Sequence, residues 1–307
     1  MEFFLPIAEV YVSLPFIFFL SLIVGVLSGL FGVGGGFLMT PFLIFLGVPP
    51  AYAVPNEANN ILGTSISGST THYLKGTLDY KMGLMIVAGG TVGTLLGILT
   101  FTYFQDIGKI NIVISLSYMY ILAIIGTMML VQGVSEIDRA RKKIILKQKL
   151  HSHYWIHGLP FRMRFKKSGL YISIIPPLLV GFVVGILASI MGVGGGFIMI
   201  PAMIYIIRMP TSVVIGTSLY QIIFVTAIVT LLHAFHNQTV DVVLALILLL
   251  GGAVGAQIGV KLSSKLEGPY LRVALGVLVL SVGIVMASDL LIKPEETITL
   301  IRGGGSH

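Results

Sequence analysis

Apolar residues run along the chain in blocks, and polar residues collect in the gaps between them. A membrane-crossing helix needs about 20 largely apolar residues. The pattern predicts helices at Leu14–Phe31, Phe37–Val48, Ala58–Leu74, Met82–Phe104 and Ile110–Val131. The same order recurs at Tyr171–Met191, Phe197–Arg208, Ser212–Phe235, Val242–Leu262 and Leu271–Leu290. Each series opens with two shorter blocks around a glycine run and continues with three longer ones. The expected fold is an all-α polytopic membrane protein.

The glycine runs are copies of each other. Gly32-Val33-Gly34-Gly35-Gly36-Phe37 returns 160 residues later as Gly192-Val193-Gly194-Gly195-Gly196-Phe197, with Gly25 and Gly185 before it and Pro41 and Pro201 after it. A second register, offset by 162, pairs Thr77-Leu78-Asp79 with Thr239-Val240-Asp241. The same offset pairs Gly89, Gly90, Gly93 and Gly97 with Gly251, Gly252, Gly255 and Gly259. Small residues at that spacing let helices approach closely. Asp79 and Asp241 stand at helix starts, where a carboxylate caps free amides. The chain therefore divides into a first membrane repeat (10–133), a basic loop (134–169) and a second repeat (170–292). The broken pair contributes two crossings or none, so each repeat crosses an odd number of times and the second is inverted relative to the first.

Composition narrows the class. The chain is 56% hydrophobic and 10% charged, with a mean hydropathy of +0.99, too little charge for a soluble surface. Its net charge of +7 is local, since ten of the 19 Lys and Arg lie between Arg139 and Lys167. The positive-inside rule makes that loop cytoplasmic and both termini external. A loop of this size is no basic folded domain, so nucleic acid is not an expected partner. There is no cysteine, which excludes disulfide and thiol chemistry. Glu2 and Glu9 occupy the N-terminus in place of a basic leader, so no removable signal is expected. Residues 303–307 read as an appended remnant.

The candidate chemistry lies at the breaks. A helix interrupted within lipid leaves amides that only a protein group or a ligand can satisfy, and a helix start favours an anion. Gly34, Gly35 and Gly36 with Gly194, Gly195 and Gly196 are the expected backbone donors. The next long helix of each repeat is polar-rich, and both contain Gly-Thr-Ser, at Gly63–Ser65 and Gly216–Ser218. Neutral groups can replace an anion's hydration shell without trapping it, and Asn59, Ser218, Tyr220 and Gln221 are the expected ligands. Interhelical hydrogen bonding is the competing use of such residues. Glu57 follows Pro55 and reads first as a solvated cap; buried, it would be functional. Glu57, His72 and His233 are the candidates for coupling. His151, His153 and His157 lack the neighbours a metal site needs, and no metal or cofactor is expected.

With its duplicated glycine motifs and central basic loop, the chain resembles the TauE/SafE family of bacterial anion transporters. The resemblance covers roughly Pro15–Phe104 and Pro176–Leu290 and rests on Gly32–Phe37 with Pro41, Gly192–Phe197 with Pro201, and Gly216-Thr217-Ser218-Leu219. It implies sulfite, sulfoacetate or another organosulfonate as substrate and the inner membrane as location; the residues alone imply an anion. The expected function is secondary active transport, with one half rocking against the other around the bound anion. An anion channel and a carrier of a non-sulfur organic anion are the alternatives, with a proton or cation as coupling partner. No catalytic constellation is present, so no enzyme is expected.

Overall fold

The computed structural model of the chain describes residues 2–8, 10–31, 36–141, 160–263 and 268–292. Among these residues, ten α-helices follow the apolar blocks closely. The first five are α1 (Leu14–Phe31), α2 (Gly36–Phe45), α3 (Pro50–Leu74), α4 (Tyr80–Asp106) and α5 (Ile110–Arg141). The second five are α6 (Ile175–Met191), α7 (Gly196–Ala202), α8 (Thr211–Leu232), α9 (Val242–Ser263) and α10 (Gly268–Ile292). α7 and α8 each end in a π-helical turn, Met203–Ile207 and His233–Asn237. Among the described residues, four segments are long and apolar enough to cross a membrane by themselves: Tyr80–Asp106, Ile110–Asp138, Val213–Asn237 and Val242–Leu262. The chain is a helical, multi-pass membrane protein.

Three elements depart from the expected pattern. α5 runs on to Arg141, where Val131 was expected as its end. α3 begins at Pro50 rather than Ala58, because a proline at the first helical position needs no backbone donor and brings a fitting φ. Asn56 and Glu57 thus fall inside the helix. α6 begins at Ile175 rather than Tyr171, because Leu170–Ser173 (β4) pairs antiparallel with Arg162–Phe165 (β3). A matching hairpin, Glu2–Leu5 (β1) with Val10–Ser13 (β2), precedes α1.

Both aspartates cap as expected, and each also holds a hairpin. The Asp79 carboxylate accepts from Met82 N at 3.2 Å and from Ser168 N and Oγ at 2.9 and 2.8 Å, tying the β3–β4 hairpin to the start of α4. Asp241 accepts from Val243 N and Leu244 N at 3.1 and 3.2 Å, and from Ile7 N of the first hairpin at 3.5 Å.

Glycine rows bring helices from different parts of the chain together. Gly89, Gly93 and Gly97 of α4 lie against the backbone of Leu178, Phe182 and Ile186 on α6. Gly251, Gly255 and Gly259 of α9 meet Phe18, Leu22 and Val26 on α1 in the same way. Both pairs run parallel, since residue numbers rise together. α3 runs antiparallel to α8, with Gly68 at Leu219 and His72 at Gly216, and α5 runs antiparallel to α10, with Gly126 at Leu280 and Gly276 at Leu130. Exchanging the first five helices for the second five maps each of these pairs onto a pair in the same set. The main core gathers Phe37, Leu38, Met39, Val54, Tyr118, Met191 and Phe197 where the breaks meet α3 and α5.

Candidate functional site

The second glycine break is built from backbone conformations that favour glycine. Gly192, Gly194 and Gly195 have φ of 69°, 66° and 76°, a region costly for residues with a Cβ. Gly192 ends α6, its N–H returning to the Ala188 carbonyl at 2.8 Å, and α7 begins at Gly196. Among the described residues, the buried amides of Val193, Gly194 and Gly195 have no hydrogen-bond acceptor. Buried donors without partners are costly, and in a membrane no water at the lipid face repairs them.

The residues that follow the first break meet the second. The Phe37 and Phe197 rings, each directly after its glycine run, stack in parallel at 4.4 Å between centroids and 3° between planes. A Cβ on Gly36 would stand 3.2 Å from the Gly192 carbonyl oxygen and overlap the Ile61 side chain. One on Gly194 would press on Ile61, Ile222 and Thr226. Gly36, Gly194, Gly195 and Gly196 are therefore drawn into one region, bordered by α3 and α8. Gly34 and Gly35 lie outside the described residues.

The polar contacts set the register between α3 and α8 at an offset of 161. Asn56 Oδ1 accepts from Asp241 N at 2.9 Å, and Thr217 Oγ1 accepts from Asp79 N at 3.1 Å. Asn60 lies against Gly252 of α9, and Gln221 lies beside Gly90 of α4. Glu57 thus corresponds to Ser218, Asn60 to Gln221 and Ile61 to Ile222. The two Gly-Thr-Ser triplets are not equivalent.

This register sorts the expected ligands. Gln221 is 0% exposed, and neither its Oε1 nor its Nε2 has a hydrogen-bond partner among the described residues. Ser218 is equally buried on the same side of α8, its hydroxyl donating to the Ile215 carbonyl at 2.9 Å. Asn59 and Tyr220 are not brought to the breaks. Each is two residues from the isoleucine that faces the glycines, about 200° around the helix. Asn59 is half-buried, and Tyr220 packs on Gly83 and edge-on to Tyr80 and Phe224. Asn60 was missed by sequence reasoning. It is buried, its Oδ1 has no partner among the described residues, and only the contact register distinguishes it from Asn59.

Glu57 is not a solvated cap. It sits within α3, 0% exposed, and its Oε1 and Oε2 accept from Asn60 Nδ2 at 3.1 and 3.2 Å. The early start of α3 at Pro50 carries it inward. His72 and His233 occupy equivalent places at the far ends of α3 and α8. His72 Nδ1 meets Thr77 Oγ1 at 3.0 Å, whereas His233 is buried between the Ser189 carbonyl, Asn237 and the Phe101 ring, which it meets in a T-shaped arrangement. Among the described residues, no cluster of His, Cys, Asp or Glu could hold a metal ion, and His151, His153 and His157 lie outside them.

A cavity of about 110 Å³ opens beside the C-terminal end of α1. Ser28 and Gly29 of α1, Thr64, Gly68 and His72 of α3, and Leu219 of α8 line it, with Lys75 at its mouth. Ile61, one turn deeper along α3 than Thr64, separates it from Gly36 and Gly194. The arrangement offers a positively charged mouth and a hydroxyl-lined cavity, with Ile61 standing between it and the amides of the second break.

Comparison with known proteins agrees with this architecture. The family model described as "Sulfite exporter TauE/SafE" matches residues 17–286. Among curated relatives, "Probable membrane transporter protein YunE" of Bacillus subtilis is 27% identical over 86% of this chain and 93% of its own. "Probable membrane transporter protein YjnA" of the same organism is 28% identical over 87% and 97%. A "Probable membrane transporter protein" of Xylella fastidiosa is 28% identical over 85% and 90%. No solved structure matches the chain.

Proposed function

Because the chain belongs to the TauE/SafE sulfite exporter family of membrane transporters, we propose that it moves a small sulfur-containing anion, such as sulfite, sulfoacetate or another organosulfonate, across the bacterial inner membrane by alternating access. The observation that carries the reading is the meeting of Gly36 and Phe37 with the second break, where, among the described residues, the buried amides of Val193, Gly194 and Gly195 have no acceptor and the side-chain amide of Gln221 has no partner. The anion lies at the breaks, held by backbone amides of Gly36 and Gly194–Gly196, by the equivalent Gly34 and Gly35, and by Ser218, Gln221 and Asn60. A site of neutral donors binds an oxyanion and still releases it.

The helix directions support two inverted repeats, since α3 runs opposite to α8 and α5 opposite to α10. The β3–β4 hairpin, at the end of the basic loop, shares the Lys75 end of the molecule, where Lys167 Nζ donates to the Gly76 carbonyl at 3.2 Å. That placement supports a cytoplasmic mouth for the cavity and external termini. The backbone contacts favour moving bodies other than the two halves expected from sequence. α1 is locked to α9 and α4 to α6 through backbone contacts, so each rigid unit draws helices from both repeats. An open pore is disfavoured, because the route equivalent to the cavity is filled by Ala58, Ala188, Val225 and Val229.

A thermal-shift screen of the purified protein against sulfite, thiosulfate, sulfoacetate, taurine and dicarboxylates tests the reading, because a ligand of the native state raises its stability by about 2.7 kcal/mol at 100 times its Kd. The expected result is stabilisation by a sulfur oxyanion or sulfonate that disappears in Gln221→Ala. Stabilisation by dicarboxylates alone would reassign the substrate, and undiminished stabilisation in Gln221→Ala would remove the site.

A further inference from the structure

Glu57 is a charged residue type placed where the fold does not ask for one. Its equivalent on α8 is Ser218, equally buried, so the packing between helices and breaks is satisfied without a carboxyl group. Among the described residues its one hydrogen-bond partner is the Asn60 amide, a neutral donor. The surrounding elements offer no counter-charge. α1, α2 and α8 contain no Asp, Glu, Lys, Arg or His, and α9 carries only Lys261, close to its far end. On α5 the nearby titratable group is Tyr118, whose hydroxyl donates to the Met191 carbonyl at 2.6 Å. Asp241, beyond Asn56, is occupied by the α9 cap and the first hairpin. His72 stands four turns away on α3 itself.

Resting on the anion site proposed above, we infer that the protein carries its anion together with a proton, and that Glu57 is the group that binds this proton. Glu57 precedes Ile61 by four residues, so the two are neighbours on one helix face, and Ile61 touches both breaks. An ionised Glu57 would therefore face the bound anion across about one helical turn, with few charges or waters to screen the repulsion. Protonation removes it, so anion and proton favour each other's binding. The neutral carboxyl retains its hydrogen bond from Asn60 and gains an O–H donor. Release of the anion to either side lets the proton leave and resets the carrier. A metal cation in the proton's place would need several oxygen ligands, and a single carboxylate with one amide does not supply them.

Thiosulfate and methanesulfonate test this directly, because both stay ionised across the neutral range and any pH dependence must come from the protein. Their Kd values would be measured calorimetrically on the intact purified chain over a pH series, in buffers of differing ionisation heat. With one linked proton, wild-type affinity weakens about tenfold per pH unit on the alkaline side, and one proton is taken up per anion bound. In Glu57→Gln the slope and the proton uptake vanish, and affinity stays near the wild-type acidic value. Glu57→Ser, which copies Ser218, gives the same loss of slope if the glutamine variant does not fold. A pH-independent wild-type Kd would overturn the inference, as would a slope that survives in both variants or a requirement for sodium. Absence of binding by any anion would instead defeat the site itself, and the inference with it.

Discussion

Ser28, Thr64, Gly68 and Leu219 border the cavity that opens at Lys75. At the equivalent positions of the other repeat stand Ala188, Val225, Val229 and Ala58, and these four form one closed apolar cluster. The next residues outward follow suit. His72 lines the open cavity, whereas His233 is held by the Ser189 carbonyl and by Asn237, which in turn accepts from Thr102 Oγ1 at 2.9 Å. One backbone plan thus carries an open cavity on one side and a buried apolar cluster on the other. The seal comes from a few carbons: valine replaces glycine at position 229 and threonine at position 225. On the alternating-access reading, these are the two gates of one site, one open and one shut.

Writing the sealed side into the open one should have the largest effect. Thr64→Val with Gly68→Val copies Val225 and Val229, and transport is expected to fall to the level of protein-free membranes while the protein still melts cooperatively. Since the chain has no cysteine, single thiols report the gates without further engineering. Thr64→Cys should react with a hydrophilic thiol reagent and Val225→Cys should not. Equal labelling of the two would break the comparison.

The amides at equivalent positions should part company next. Asn60→Ala strips Glu57 of its buried partner and is expected to destabilise by about 1–3 kcal/mol. Gln221→Ala removes two polar atoms without partners among the described residues and should leave resting stability unchanged or higher, while abolishing stabilisation by the anion. Denaturation of both variants with and without ligand separates these outcomes. Equal destabilisation would mean that both amides are structural.

The smallest effect should fall where the two repeats agree. Asp79→Ala and Asp241→Ala each lose a helix cap and a tie to a hairpin, with an expected cost of about 1–2 kcal/mol apiece. Anion affinity should change in neither, and a marked difference between the two would show that only one hairpin bears on the gates.

Much of the architecture could be read directly from the chain. Bilayer thickness dictates the length of an apolar block, so α1, α4 and α9 fall almost where the blocks do. Glycine repetition was legible, because no other residue permits both the left-handed turns at Gly194 and Gly195 and the close approach of α4 to α6. Asp79 and Asp241 announced themselves as caps because capping is local in sequence. The choice between Asn59 and Asn60 was not legible, nor were the inward displacement of Glu57 and the aromatic packing of Tyr220. Those depend on which way α3 and α8 are rotated, and rotation is set by contacts with Gly252, Gly90 and the facing break. The difference between an open Gly68 and a sealed Val229 has the same origin, since a missing side chain makes a cavity only where the neighbouring helix cannot close over it. Periodicity and local chemistry set the elements; packing between distant segments decided which of their faces became a site.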